Sequence, residues 1–316
     1  MALGRKQRVI ATAALGTAAL GGVAAGWFML AGTPPAPTIA DLRYGSNPAQ
    51  TFDVWRPDGS GPFPVVLAVH GGGFAFGDKR GRDGLAPDIA ALRAQGIAVA
   101  SANYRMSGEA LFPAAAQDVT SALAELRRQA PSLGLDPDRI ALWGKSAGAN
   151  LVLLAGLSQG RAPIGNGVQP PVSAIIAMYP PVRFDVMDAQ LRRSACGESA
   201  AVHDAADSFE SKWLGGALQQ RRDLVAQASP LSYVSSSAPP VLVQAGSADC
   251  MVPPAQSVML AEALRRAGGH VRLDILPGAK HIDPKFDERA NLTRVVFFLK
   301  DTFKAQKSTA LGNSRR

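Results

Sequence analysis

The sequence predicts an α/β fold: a mainly parallel central sheet with helices on both faces and a small lid insertion. Three observations carry that expectation. Short apolar runs of strand length recur along the chain, as in Val65-Val-Leu-Ala-Val69, Ile97-Ala-Val-Ala100 and Val241-Leu-Val-Gln-Ala245. Helical stretches alternate with them, which implies parallel strands joined by helical crossovers. His70, Ser146, Asp249 and His281 all fall just after predicted strands. Sites in such sheets lie at the C-terminal ends of the strands.

The chain has 316 residues, 47% of them apolar and 6% aromatic, enough for a sizeable core in one large α/β domain. The formal charge is +8, and Arg5, Lys6 and Arg8 supply three of those charges. No basic stripe is interleaved with aromatics, so a nucleic-acid partner is not expected. Two cysteines, Cys196 and Cys250, lack metal-ligand spacing. They either pair, tying the insertion to the loop of a candidate acid, or remain two separate thiols. The sequence leaves both open.

Residues 1–8 are basic, and Val9 to Ala31 carries no charge. This reads as an export signal, and its length also suits a retained membrane anchor. Either way the body is expected outside the cytoplasm, periplasmic or extracellular. Residues 32–37 read as a Pro-rich linker, and the domain as residues 38–304. Gln50 to Trp55 is a predicted strand. Val65–Val69 follows and ends in His70-Gly-Gly-Gly73. A helix near Pro87–Gln95 leads to the Ile97–Ala100 strand. Ala115–Ala130 is an amphipathic helix with Val119, Leu123 and Leu126 on one face. Asp136-Pro-Asp-Arg139 reads as a turn into the strand Ile140-Ala-Leu-Trp143. A helix then runs through Ala149–Ala155, and Val172–Met178 is another strand. Residues 182 to about 237 break the rhythm and read as a lid. It resumes with Val241–Ala245, a helix over Gln256–Ala267, the strand Val271–Ile275 and a last helix over about Asp287–Phe303. Residues 305–316 read as a disordered basic tail.

Trp143-Gly144-Lys145-Ser146-Ala147-Gly148 lies between a strand and a helix. That is the setting of a Gly-x-Ser-x-Gly nucleophile elbow, in which the glycines allow close approach at a strained turn. A serine hydroxyl needs a base within hydrogen-bond reach, and the base needs an acid to orient it. Of four histidines, His281 alone follows the last strand in a loop after the serine; His70 sits in the glycine loop, His203 in the insertion and His270 before a strand. Asp249 follows the strand between Ser146 and His281, whereas Asp118, Asp136 and Asp138 precede the serine. Backbone N–H groups of the His70-Gly-Gly-Gly73 loop and of Ala147 suit an oxyanion hole, worth about 3–4 kcal/mol per donor. A phosphate cradle is the other use of such glycines, but no Lys-Ser/Thr pair or Gly-x-Gly-x-x-Gly follows the strand.

With these residues the chain resembles the α/β-hydrolase superfamily, nearest its esterase branch with His-Gly-Gly-Gly and Gly-x-Ser-Ala-Gly, which includes hormone-sensitive-lipase-like and feruloyl- or acetyl-esterase-like enzymes. The likeness spans about Asp53 to Phe303 and rests on His70–Phe74, Asn103-Tyr-Arg105, Asp136–Ile140, Gly144–Gly148, Asp249–Pro253 and Gly278–His281. It implies an α/β-hydrolase fold, a triad of Ser146, Asp249 and His281, and oxyanion donors at Gly72, Gly73 and Ala147. It also implies hydrolysis of small-molecule carboxylic esters, short-chain or small aromatic, with no cofactor and no metal. Three positions depart from the pattern: Lys145 before the serine, Ala149-Asn150 after it, and Ile282 where glycine usually follows the histidine. Lys145 is expected either to favour an acidic or polar substrate or to pair with a lid acid. A serine peptidase or acyltransferase of the same fold, and an inactive binding protein, are the alternatives. Oligomeric state is not legible.

Overall fold

The computed structural model describes residues 34–81, 85–197 and 202–313. The expected export or anchor segment, residues 1–31, lies outside them. No helix among the described residues is long and apolar enough to cross a membrane.

Eight strands form one sheet: β1 Ile39–Arg43, β2 Thr51–Trp55, β3 Phe63–Val69, β4 Ala98–Ala102, β5 Leu135–Lys145, β6 Ala174–Met178, β7 Val241–Gly246 and β8 Val271–Leu276. Their order across the sheet is β1-β2-β4-β3-β5-β6-β7-β8. Only β2 runs against its neighbours, pairing antiparallel with both β1 and β4. The strands β2, β4 and β6 are buried along their whole length, as expected of strands covered on both faces.

Helices cover both faces. Helix α1 (Leu85–Arg93) precedes β4, α2 (Ala114–Gln129) links β4 to β5, and α3 (Ala147–Ser158) leaves β5. One apolar cluster packs residues of α2 and α3 against β3, β4 and β5 through Val119, Leu126, Leu151 and Leu154. The other packs α1 and the last helix against the opposite face through Ile89, Leu92, Trp143, Leu292 and Leu299. From β3 the chain turns back to β4, then crosses over to β5 and proceeds to β8. The connections leaving β3 and β5 therefore diverge between two neighbouring strands, which opens a crevice at their C-terminal ends.

Residues 182–237 contain only short helical pieces among those described, including α4 (Met187–Arg192), α5 (Phe209–Leu214) and α6 (Arg222–Gln227). Their anchor is Trp213, fully buried and stacked on Phe74 at 3.8 Å, with Phe112 and Phe184 set edge-on to it. After β7 come α7 (Pro254–Arg266), β8 and α8 (Arg289–Asn313).

Three details differ from the sequence reading. Strand β1 was not anticipated: Ile39-Ala-Asp-Leu-Arg43 has a register shift between Ile39 and Leu42 that interrupts its alternation. Asp136-Pro-Asp-Arg139 belongs to β5 rather than to a turn, with Leu135 paired to Phe63. The tail expected to be disordered from residue 305 instead continues α8 to Asn313. The segment is rich in good helix formers and lacks proline, and Ser173 Oγ bonds Gln306 Oε1 at 2.6 Å.

The proline-rich entry is tied down as well. The Trp55 indole N–H donates to the Pro35 carbonyl at 2.7 Å. Trp55 pairs with Val99 at the start of β4, so this contact lies at the end of the sheet opposite the crevice.

Candidate active site

The turn between β5 and α3 holds Ser146 at φ 53° and ψ −122°, a conformation that L-residues rarely adopt. Its geometry depends on two glycines. A Cβ on Gly144 would fall 2.2 Å from the Gly148 carbonyl oxygen, and one on Gly148 would fall 2.2 Å from the Val69 carbonyl oxygen. Helix start, strand end and the end of β3 thus meet without side chains between them. The Ser146 N–H donates to the Met178 carbonyl of neighbouring β6 at 3.0 Å.

Asp249 follows β7 and is 1% exposed. Its Oδ1 accepts the N–H groups of Met251 and Val252, both at 2.9 Å. Its Oδ2 lies 2.7 Å from His281 Nδ1, and His281 Nε2 lies 2.9 Å from Ser146 Oγ. A carboxylate only accepts, so Nδ1 carries the proton and Nε2 is left to accept from the serine hydroxyl. Tyr179 packs edge-on against the His281 ring at 4.7 Å.

The glycine loop after β3 abuts the elbow: a Cβ on Gly71 would fall 3.3 Å from Ser146 Cβ. Gly72 and Gly73 have φ of +105° and +60°. The Gly72 carbonyl accepts the N–H groups of Ala75 and Phe76, both at 3.0 Å. Ala147 is the first residue of α3, where N–H groups have no partner within the helix. The expected residues Ser146, Asp249, His281, Gly72, Gly73 and Ala147 therefore converge on one place. The other three histidines do not join them. His70 Nδ1 contacts the Gly71 carbonyl at 2.8 Å while its ring stacks on Tyr104, and His270 pairs by its carbonyl with Val241. His203 lies in the insertion.

Lys145 corrects an expectation. It faces neither substrate nor lid. Its Nζ lies 2.8 Å from Asp88 of α1 and 3.0 Å from Asp287, just before α8. Side chains alternate along a strand, so Lys145 shares a face with Trp143, which packs among α1 and α8. The ion pair to Asp287 links the elbow strand to the segment that follows His281.

Other supports were not legible beforehand. The Tyr104 hydroxyl, from the Asn103-Tyr-Arg105 stretch, donates to the His70 carbonyl at 3.2 Å beneath the glycine loop. Asn150 Nδ2 donates to the carbonyls of Pro181 and Ala228, at the two ends of the insertion. Only the polarity of Asn150 within an otherwise apolar helix signalled this. Of the two states the sequence leaves open for Cys196 and Cys250, the structure has the disulfide, with Cα atoms 5.5 Å apart, fastening the insertion next to Asp249.

With this geometry in place, comparison with known proteins gives a consistent result. The family model described as BD-FAE matches residues 52–264. The esterase LipC of Mycobacterium tuberculosis is 34% identical over 247 residues, covering 76% of this chain and 58% of its own length. The ethyl acetate hydrolase of Pseudomonas putida is 30% identical over 266 residues, covering 80% of this chain and 78% of its own. The chain thus spans little more than half of LipC. A solved structure of a truncated carbohydrate esterase from gut microbiota superposes with a TM-score of 0.74 at 23% identity, over 86% of this chain and all of that one. The fold is the α/β-hydrolase fold, and the chain belongs to the BD-FAE family.

Two stability outcomes follow. Replacing Lys145 by Met removes the cation shared by two carboxylates and is expected to cost about 3–5 kcal/mol in urea unfolding; a loss below about 1 kcal/mol would show the pair to be dispensable. Reducing the disulfide, or Cys250→Ser, is expected to remove about 2–4 kcal/mol and lower Tm by roughly 5–10 °C. An unchanged melting curve under reductant would exclude that contribution.

Proposed function

We propose that this BD-FAE family member is a serine esterase that hydrolyses carboxylic esters through an acyl-enzyme. The observation that carries the reading is the unbroken hydrogen-bond chain from Asp249 through His281 to Ser146, set beside the glycine loop. Ser146 Oγ attacks the ester carbonyl carbon while His281 Nε2 takes the hydroxyl proton. The carbonyl π pair moves to oxygen, and the N–H groups of Gly72, Gly73 and Ala147 stabilise that oxyanion. Asp249 holds the imidazole in its tautomer and stabilises the imidazolium. Collapse breaks the bond to the alcohol oxygen, which receives the proton from His281. Water then repeats the sequence on the acyl-enzyme, releasing the acid and restoring Ser146.

The substrate reading is a short-chain or small aromatic ester. Phe209 of α5 lies over Gly73: a Cβ there would fall 2.6 Å from its ring. Phe76 meets Phe209 edge-to-face at 5.9 Å, and the two are 61% and 44% exposed. An exposed aromatic pair beside the oxyanion loop supports planar or short apolar groups. The Pseudomonas relative is itself named for ethyl acetate, a short ester. We also propose export, with residues 1–31 as signal or membrane anchor; the Cys196–Cys250 disulfide supports an oxidising compartment.

Hydrolysis of p-nitrophenyl esters from acetate to laurate tests the reading. The parent is expected to prefer the short chains, and Ser146→Ala to lose at least on the order of 10⁴ in kcat. Equal rates for parent and variant would sink it. Phe209→Ala is expected to raise KM for aryl esters about 5–10-fold, with little change for ethyl acetate. A uniform change across both would remove Phe209 from the specificity argument.

A further inference from the structure

A second buried histidine–carboxylate pair lies beside the first. His203, 5% exposed in the insertion, sits between α4, α5 and the loop that carries Asp249. Its Nδ1 is 2.9 Å from Glu210 Oε1, and its Nε2 is 2.8 Å from the Met251 carbonyl oxygen. Its backbone N–H donates to Asp188 Oδ1 at 2.7 Å.

The chemistry of these contacts is restrictive. A carbonyl oxygen only accepts, so Nε2 carries a proton. An ionised Glu210 only accepts as well, so Nδ1 carries the other. Burial disfavours the charged ring, but Glu210, the Met251 carbonyl and Asp188 outweigh it and hold the His203 pKa above the ordinary imidazole value.

The Met251–Val252 peptide has two sides. Its carbonyl, on Met251, accepts from His203, and its N–H, on Val252, donates to Asp249 Oδ1 at 2.9 Å. The disulfide at Cys250 fastens the residue between Asp249 and Met251. On the same short helix as Glu210, Phe209 covers Gly73 and Trp213 stacks on Phe74. The insertion therefore touches both the acid loop and the oxyanion loop through α5.

We propose that His203, braced by Glu210, is a positioning residue for the catalytic acid: it fixes the Met251–Val252 peptide, and through it the orientation of Asp249 toward His281. This rests on the ester-hydrolysis reading of Ser146, Asp249 and His281. The path runs Glu210, His203, the Met251–Val252 peptide, Asp249, His281, Ser146. Glu210 and His203 are buried behind the loop that carries Asp249, so the effect of changing them falls on the chemical step rather than on binding.

Two near-isosteres separate this role from a merely structural one. Glutamine places its amide N where Nε2 lies and keeps the bond to Met251. Asparagine reaches only the Nδ1 position and keeps the bond to Glu210. With p-nitrophenyl acetate, His203→Asn is expected to lower kcat about 10–100-fold with KM within about 3-fold, while His203→Gln stays within about 5-fold of the parent. Tm is measured for both. Equal losses in the two variants, or a change confined to KM, would overturn the proposal. Glu210→Gln, which retains an acceptor for Nδ1 and leaves the Met251 bond in place, covers the case in which a His203 variant does not fold. It is expected to retain kcat within about 5-fold, and a larger loss would move the effect to the ion pair and overturn the role of the Met251 contact. Ser146→Ala is run alongside. A parent without esterase activity, or an active Ser146→Ala, removes both readings; with those controls intact, an unchanged kcat in His203→Asn removes only this one.

Discussion

The steric meeting of Gly144, Gly148 and Val69 is the constraint from which the site follows. No side chain fits where β5 ends and α3 begins, because backbone oxygens already lie 2.2 Å from where a Cβ would stand. That closeness forces Ser146 into positive φ and lifts it above the sheet. It also brings the end of β3 against the elbow, so the glycine loop arrives beside Ser146 without any long connection. Neighbouring parallel strands then deliver the remaining groups. Strand β7 supplies Asp249 and β8 is followed by His281, and their loops converge on the same crevice.

The sheet supplies the positions, and contacts from outside it supply the precision. Lys145 joins the elbow strand to Asp88 and Asp287 on the α1 and α8 face. On the other face, Asn150 and Ser229 pin the two ends of the insertion, Ser229 Oγ donating to the Val182 carbonyl at 2.7 Å. The disulfide and His203 fasten its middle to the acid loop. A buried polar group without a partner is costly, so each of these contacts also selects one arrangement of the insertion over others.

Much of this was legible because it is local. Gly144-Lys-Ser-Ala-Gly148, the glycine run after Val69 and the order of serine, aspartate and histidine each need only neighbouring residues and the strand rhythm. What escaped depends on distant partners. Lys145 looked available to substrate because its acids lie 57 residues before it and 142 after it in sequence. The β1 strand hid behind its register shift, and the helix past residue 304 behind a polar composition that suits a solvated helix as well as a tail. His203 had no motif around it. The pairing of Cys196 with Cys250 was open for the same reason, since spacing does not give distance. At Ile282 the backbone shows why glycine is usual there: φ is +56°, a left-handed conformation that a β-branched residue adopts at a cost.

The Trp55–Pro35 contact has a bearing on how the molecule presents itself. The chain enters the fold at the end of the sheet remote from Ser146, and there Pro35 is held by an indole N–H. An attachment made immediately ahead of Pro35 meets the domain at that base. The crevice beside Ser146 then lies at the other end of the strands, clear of the point of attachment.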